Sequence, residues 1–388
     1  MDWVVPLADL NFGIEEEDAV RDVIRRRWLT MGAITQEFEE TFAHYINVEH
    51  ALAVSNATVA LHLACVAAGI GPGDEVIVPS LTFVATANAV LYTGANVRFA
   101  DILGQDDLTI SPDEIERQIT PKTKAIIVVH YGGFPCRMEE ICELAKRFGL
   151  FVIEDCAHAP GSSLNEKALG TWGDIGCFSF FSNKNLSTGE GGMVVTNRKE
   201  LAEKVKILRS HGMTTLTWDR HQGHAHSYDV VDLGYNYRID EIRSSLGLAQ
   251  LKKLGKGNSA RKQLTQRYHA ALKNTNVEIP FMNPPRGAKS SYHLFPILLP
   301  ERIDRVKFIG LLKKEGIQTS IHYPPIHQFQ YYRGKYPNVF LPKTEAVAAR
   351  EVTLPLYPSM GQDAVDLVVS EVCTALHTLT ESDGSVTV

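Results

Sequence analysis

From Ala51 to Thr196 the chain repeats one unit, a short apolar run followed by a stretch with helical spacing, and this rhythm constrains its fold more than any other feature. The apolar runs are Ala51–Val54, Glu75–Val78, Val97–Phe99, Ala125–Val129, Phe151–Ile153, Cys177–Phe180 and Met193–Thr196. Helical patterns fall between them at Thr58–Ala68, Thr86–Tyr92, Pro112–Gln118 and Met138–Phe148. Strand–helix alternation predicts an α/β layer with a mainly parallel seven-stranded sheet flanked by helices. Gly71–Gly73 (Gly-Pro-Gly) and Gly132–Gly133 mark turns at segment ends. An amphipathic helix over Glu15–Trp28, with Ile14, Val20, Val23 and Ile24 on one face, precedes the rhythm. Beyond it, Asp240–Leu254 and Ala260–Leu272 read as two helices. Strand candidates Tyr292–Leu298 and Gln318–His322 then mix with helices Val306–Glu315, Thr344–Arg350 and Gln362–Leu379. The expectation is a large domain over 1–255 and a smaller α+β domain over 256–388 that includes the linking helix. The polar tail Glu381–Val388 is expected to fray.

Charge narrows the function. The chain has 39 Lys and Arg against 45 Asp and Glu, a net charge of −6, and no basic run, so no nucleic-acid partner is expected. Six cysteines without metal-type CxxC spacing read as free thiols in a reducing compartment. The opening MDWVVPLADL has no basic region followed by an apolar core, and no apolar stretch is long enough to span a bilayer. The expectation is a cytoplasmic protein that contacts neither membrane nor nucleic acid.

Four stretches carry chemistry. In SFFSNKNLSTGEGG (179–192), Lys184 stands between an apolar strand and a glycine-rich turn. Held against the sheet, its amine would lose basicity and become a nucleophile for carbonyls; a solvated loop lysine is the plain alternative. In VIEDCAHAPG (152–161), Asp155 ends an apolar strand, and ligands of open α/β sheets bind at that edge. A carboxylate there can partner a protonated pyridine nitrogen, or simply cap a helix. In VSNATVALH (54–62), a strand end, a polar turn and a helix start make a phosphate cradle to which Thr58 adds a hydroxyl; capping by Ser55 or Asn56 alone is the plainer account. In LGYNYRIDEIRSSLGLAQL (233–251), Asp240 caps a helix, with Asn236 and Arg238 before it as anion donors. An anion cradle, a carboxylate for a ring cation and an amine for an aldehyde are together what pyridoxal 5'-phosphate (PLP) requires.

These stretches, joined in order by GDEVIVPSLTFVATANAV (73–90) and GIQTSIHYPPIH (316–327), resemble the DegT/DnrJ/EryC1/StrS sugar aminotransferases, PLP enzymes of fold type I, from about Pro6 to Leu376. The resemblance implies roles. Lys184 is the Schiff-base lysine and proton shuttle. Asp155 partners the pyridine nitrogen, and His158 lies near the ring's phenolic oxygen. Phe83 stacks on the ring, while Ala57, Thr58 and Ser179 cradle the phosphate. Asn236 reaches the phosphate of a neighbouring subunit, with Arg238 beside it, which requires at least a homodimer with shared sites. Relatives with histidine in place of the lysine dehydrate sugars, so Lys184 favours transamination. The implied substrates are an amino-acid donor, L-glutamate ahead of glutamine, and a nucleotide-linked keto-sugar, aminated at C3 or C4, as acceptor. A keto-cyclitol acceptor is the alternative enzyme, and a PLP-binding regulator without turnover the alternative of another class.

On the substrate side, Thr30 and Met31 match an entrance segment, and His322, Tyr323 and His327 match a segment near the pocket; a turn stiffened by Pro324 and Pro325 accounts for the latter equally well. His211, His221, His224 and His226 lie in one polar loop. Their irregular spacing argues against a metal site, and a loop that helps hold an anionic substrate is the preferred reading. No metal is expected.

Overall fold

A computed structural model describes residues 3–214 and 227–384 of the protein. The large sheet contains β1 (His50–Val54), β2 (Glu75–Pro79), β3 (Asn96–Ala100), β4 (Thr123–Val129), β5 (Phe151–Asp155), β6 (Ile175–Ser179) and β7 (Gly192–Thr196). Their spatial order is β1-β7-β6-β5-β4-β2-β3. β7 is antiparallel to both neighbours, and every other pairing is parallel. This is the mainly parallel seven-stranded layer that the alternation predicts.

Both faces of the sheet are covered, which is why its strands are apolar throughout rather than alternating. On one face Leu52, Val54, Val76, Val78, Ile127 and Val194 pack with α3 (Ala57–Ala67), α4 (Ala85–Tyr92) and α7 (Lys199–Leu208). The intervening residues Ala53, Ile77, Ile126, Val128 and Val195 point the other way. They meet α2 (Ala33–Ile46) through Phe38 and Phe42, and α6 (Met138–Phe148) through Ile141 and Leu144. α1 (Ile14–Arg26) precedes these layers, and α5 (Pro112–Gln118) leads into β4.

Three expectations change. The two helices after Asp240 are one, α8 (Glu241–Leu272). Gly255 and Gly257 weaken a helix locally, but the turns just after them are held by tertiary bonds. Asn258 donates to the Pro160 carbonyl at 2.9 Å, and Arg261 donates to the Leu356 carbonyl at 2.6 Å. The residues 318–322 form one isolated bridge, Ser320 with Thr353, not a strand. The partner of β8 (Phe295–Leu298) is instead β9 (Glu351–Leu354). The final helix continues past Glu381 to Gly384. A third core joins the C-terminal half of α8 to β8, β9 and the final helix, and Val5 from the chain's beginning is part of it. The position 255 lies inside α8.

Candidate active site

The carboxyl ends of β4, β5 and β6 open onto one cavity of about 830 Å³. Its lining includes Ala57, Thr58, Phe83, Asp155, His158, Ser179, Lys184, His322 and Tyr323, so nine of the residues singled out in the sequence converge there. Strand ends supply Asp155 and Ser179, because side chains at the last strand position stand where the backbone leaves the sheet.

Asp155 is 5% exposed. Its Oδ2 accepts the Thr86 hydroxyl at 2.8 Å and its Oδ1 accepts the Ala157 N–H at 3.1 Å. Burial pushes its pKa up, opposed by those two hydrogen bonds and by the nearby charge of Lys184. Lys184 sits on a closed loop: Phe180 and Gly191 pair across its base at 2.9 Å, and the Lys184 N–H donates to the Phe181 carbonyl at 2.9 Å. The next residue anchors it. Asn185 donates to Asn258 at 2.9 Å and to the Ser291 carbonyl at 2.8 Å, and its oxygen lies 2.9 Å from His293 Nδ1. Burial drives the Lys184 amine down to about 8, against the pull of the Asp155 carboxylate. The half-buried side chain lines the cavity, and its lowered basicity is what a nucleophilic lysine needs.

Opposite lies the N-terminus of α3. Asn56 caps it by accepting the Val59 N–H at 3.0 Å, leaving the first amides of the helix for an anion. Gly192 keeps this corner clear: a Cβ there would lie 2.6 Å from Asn56 C and 2.9 Å from Ala57 N. A buried carboxylate, a poorly basic amine and a helix N-terminus around one cavity fit the pyridine nitrogen, aldehyde and phosphate of PLP.

His158 is buried and kept neutral, its pKa driven well down by burial and by the charge of Lys184. The Gly132 N–H donates to its Nδ1 at 3.3 Å, so Nε2 carries the proton and donates to the Tyr323 hydroxyl at 2.9 Å. The Tyr323 proton is thereby free for the cavity. Phe83, 58% exposed, stands at the mouth with its ring 6.2 Å from that of Tyr323.

Other expected residues lie elsewhere. Thr30 bridges Asp240 outside the cavity, and Met31 is buried beside it. His327 does not line the cavity. It is buried, with Nδ1 2.7 Å from Ser80 Oγ and Nε2 3.0 Å from Glu345, so both ring nitrogens are engaged within the fold. Asn236 is exposed and bridges Ser210; Arg238 donates to the Ser210 hydroxyl at 3.1 Å. Neither lines its own chain's cavity. His211 is exposed, and His221, His224 and His226 fall outside the described residues.

Thr86, Asn185, His293 and Tyr237 were not singled out from the sequence. Thr86 lies 69 residues from Asp155, a separation that leaves no local signal. A further cluster, His130, Glu154 and Cys156, is buried. It is knit internally: Glu154 accepts from His130 at 3.0 Å and from the amides of Gly170, Trp172 and Gly173.

Known proteins resemble this chain in sequence and in fold. The family model of the DegT/DnrJ/EryC1/StrS aminotransferase family matches residues 11–373. The spore coat polysaccharide biosynthesis protein SpsC of Bacillus subtilis is 39% identical over 368 residues, covering 93% of this chain and 94% of SpsC. Among solved structures, Helicobacter pylori PseC, an aminotransferase involved in the biosynthesis of pseudoaminic acid, superposes with a TM-score of 0.89. It is 31% identical, with 97% of this chain and 100% of PseC covered. NtdA of Bacillus subtilis, solved with bound cofactor PMP, has a TM-score of 0.83 at 30% identity, covering 94% of this chain and 82% of NtdA.

Proposed function

The chain belongs to the DegT/DnrJ/EryC1/StrS aminotransferase family, and on that premise we propose that it transfers an amino group from L-glutamate to the C3 or C4 ketone of a nucleotide-linked sugar. The single observation that carries the reading is Lys184, an amine lowered to about 8 beside a buried carboxylate and facing a helix N-terminus. When bound, PLP supplies an aldehyde for that amine and a ring that accepts the electron pair released at the substrate carbon.

The chain's own residues do the rest. Asp155 presents its carboxylate to the ring nitrogen, held there by Thr86 and the Ala157 amide. The first amides of α3, with Thr58 and Ser179, hold the phosphate. Phe83 covers one face of the ring. The His158 N–H orients the Tyr323 hydroxyl. Lys184 Nζ removes and returns the proton at the reacting carbon in both half-reactions, a role its reduced basicity suits. In this reading residues 1–255 carry the cofactor, and residues 256–388 bring His322 and Tyr323 over it.

We read the working form as a cytoplasmic homodimer with shared sites. Phe83, Tyr92 and Phe181 rim the cavity while 58%, 57% and 45% exposed in the single chain, an apolar mouth suited to cover by a partner. Asn236 is exposed and outside its own cavity, which supports a role at a neighbour's phosphate. All six cysteines are unpaired, and no helix among the described residues is long and apolar enough to cross a membrane.

The test loads the protein with PLP, converts it with glutamate, then offers dTDP- and UDP-keto-sugars and keto-inositols separately while the PLP absorbance is followed. Return of the absorbance with a nucleotide sugar supports the reading. Return only with a keto-inositol makes the enzyme a cyclitol aminotransferase, and a spectrum unmoved by both glutamate and glutamine sinks transamination altogether.

A further inference from the structure

His322 lines the cavity, and its Nδ1 is engaged with the protein interior. Its Nδ1 lies 2.8 Å from the Thr353 hydroxyl. Its Nε2 has no hydrogen-bond partner among the described residues and is not among their buried unpartnered atoms, which leaves it accessible on a ring that lines the cavity. Behind Thr353 stands Glu351, fully buried on β9. The Thr353 hydroxyl donates to Glu351 Oε1. The His322 backbone N–H donates to Oε2 at 2.8 Å. Among the described residues no cation forms an ion pair with this carboxyl: the Arg305 guanidinium donates to the Ala348 and Glu351 backbone carbonyls, and from there its charge favours the ionised carboxyl against burial.

A hydroxyl has one proton to give, so this chain of three groups has two consistent arrangements. With Glu351 ionised, Thr353 donates to Oε1 and must accept from His322 Nδ1–H, which leaves Nε2 bare as an acceptor. With Glu351 protonated at Oε1, the order reverses. Glu351 donates to Thr353, Thr353 donates to Nδ1, and the ring proton sits on Nε2 as a donor. The interchange balances as a relay. One proton enters at Nε2 from the cavity, the Nδ1 proton passes to Thr353, and the Thr353 proton passes to Oε1.

We propose that Glu351 is a positioning residue that acts through the Thr353 hydroxyl to decide whether His322 meets the substrate as a hydrogen-bond donor or as an acceptor. The inference rests on the aminotransferase reading only in taking the sugar as the group that Nε2 meets.

The surroundings suit such a relay. Burial pushes the Glu351 carboxyl up to about 8, within reach of ordinary changes of pH. Burial and the Lys184 charge hold the His322 ring down to about 4, so it stays neutral and its tautomer is the variable. Of the other groups nearby, His158 and His293 are held neutral by burial, and Tyr131 and Tyr323 are held as phenols. The Lys184 amine titrates in the same range only when free, and loading with PLP would engage it in the wild type and in every variant below.

The experiment labels the histidines of the PLP-loaded protein with nitrogen-15 and follows the His322 ring signals from pH 6.5 to 9.5. Those signals are identified by their loss in His322→Gln. We expect the Nε2–H tautomer to give way to Nδ1–H with a midpoint near 8. In Glu351→Gln the amide oxygen accepts the His322 N–H and the amide nitrogen donates to Thr353, so the Nε2–H form should persist across the range. Thr353→Val should abolish the step, and Thr353→Ser should keep it. A constant wild-type tautomer overturns the proposal, as does the same step in Glu351→Gln or Thr353→Val. The wild-type titration decides the matter even if a variant does not fold. A clear step in a protein that fails to transaminate would overturn the functional reading and leave this one intact.

Discussion

Replacing Asp155 by Asn should make Lys184 a better nucleophile and the protein a worse enzyme. In the cofactor-free protein the Lys184 amine is lowered to about 8, with burial pulling it down and the Asp155 carboxylate pulling it up. At pH 7.5 about a quarter of such amines are neutral, against about one in a thousand for an ordinary lysine, an advantage of roughly 200-fold. Asparagine preserves the shape: its oxygen can still accept the Ala157 N–H, and the Thr86 hydroxyl can turn to accept from the amide. Only the charge is lost. A nearby opposite charge shifts a pKa by about 1–3 units, so the amine should fall by about one unit or more and its reaction at pH 7.5 should quicken about threefold. The assay is reductive methylation of the cofactor-free protein across pH 6–11, quantified at Lys184 by peptide mass spectrometry. Turnover with glutamate should fall by about 100-fold or more, because the ring nitrogen loses its partner. A wild-type midpoint at or above 10, or a midpoint that rises in Asp155→Asn, would refute the account of how Lys184 is activated.

Gly192→Ala should force the α3 N-terminus and β7 apart, since the new Cβ would meet backbone atoms at 2.6–2.9 Å. A loss of about 1–3 kcal/mol in urea denaturation is expected, with weaker PLP binding by absorbance titration; unchanged affinity would remove the phosphate from this corner. Thr86→Val deletes a fully buried donor to Asp155. It should cost about 1.5–3 kcal/mol and raise the Asp155 pKa further, both readable from denaturation at several pH values. Glu351 also predicts a pH dependence of stability. Its folded pKa, about 8, exceeds its ordinary value of 4.5, so between those values the folded state binds the extra proton and stability falls as pH rises. Glu351→Gln should flatten that slope between pH 5 and 8, and an unaltered slope would place the carboxyl's titration elsewhere.

Much of this protein is legible from sequence because its information is local. Pro112–Gln118 and Met138–Phe148 begin and end where the spacing places them, and the seven apolar runs lie on the seven strands. Asp155 is recognisable because a strand end is itself a sequence feature, whereas Ser179, inside the run Cys177–Phe180, is marked only by the family resemblance. α2 shows the limit. Its N-terminus has no capping side chain of its own. The amides of Gly32, Ile34 and Thr35 are instead bound by Glu241, more than 200 residues away. Likewise β9 is a short run whose partner, β8, lies about fifty residues upstream.

Periodicity and residue type, read along the chain, thus determine the layer, its helices and the presence of a lysine, a carboxylate and an anion cradle at strand ends. Tertiary structure alone decides which of these groups share a cavity and in what state. It withdraws His327 into bonds with Ser80 and Glu345, and it sets His322 on the Thr353–Glu351 chain. The physical reason is that spacing encodes which face a residue occupies, whereas basicity and hydrogen-bond partnership depend on burial and on neighbours brought together from distant parts of the chain.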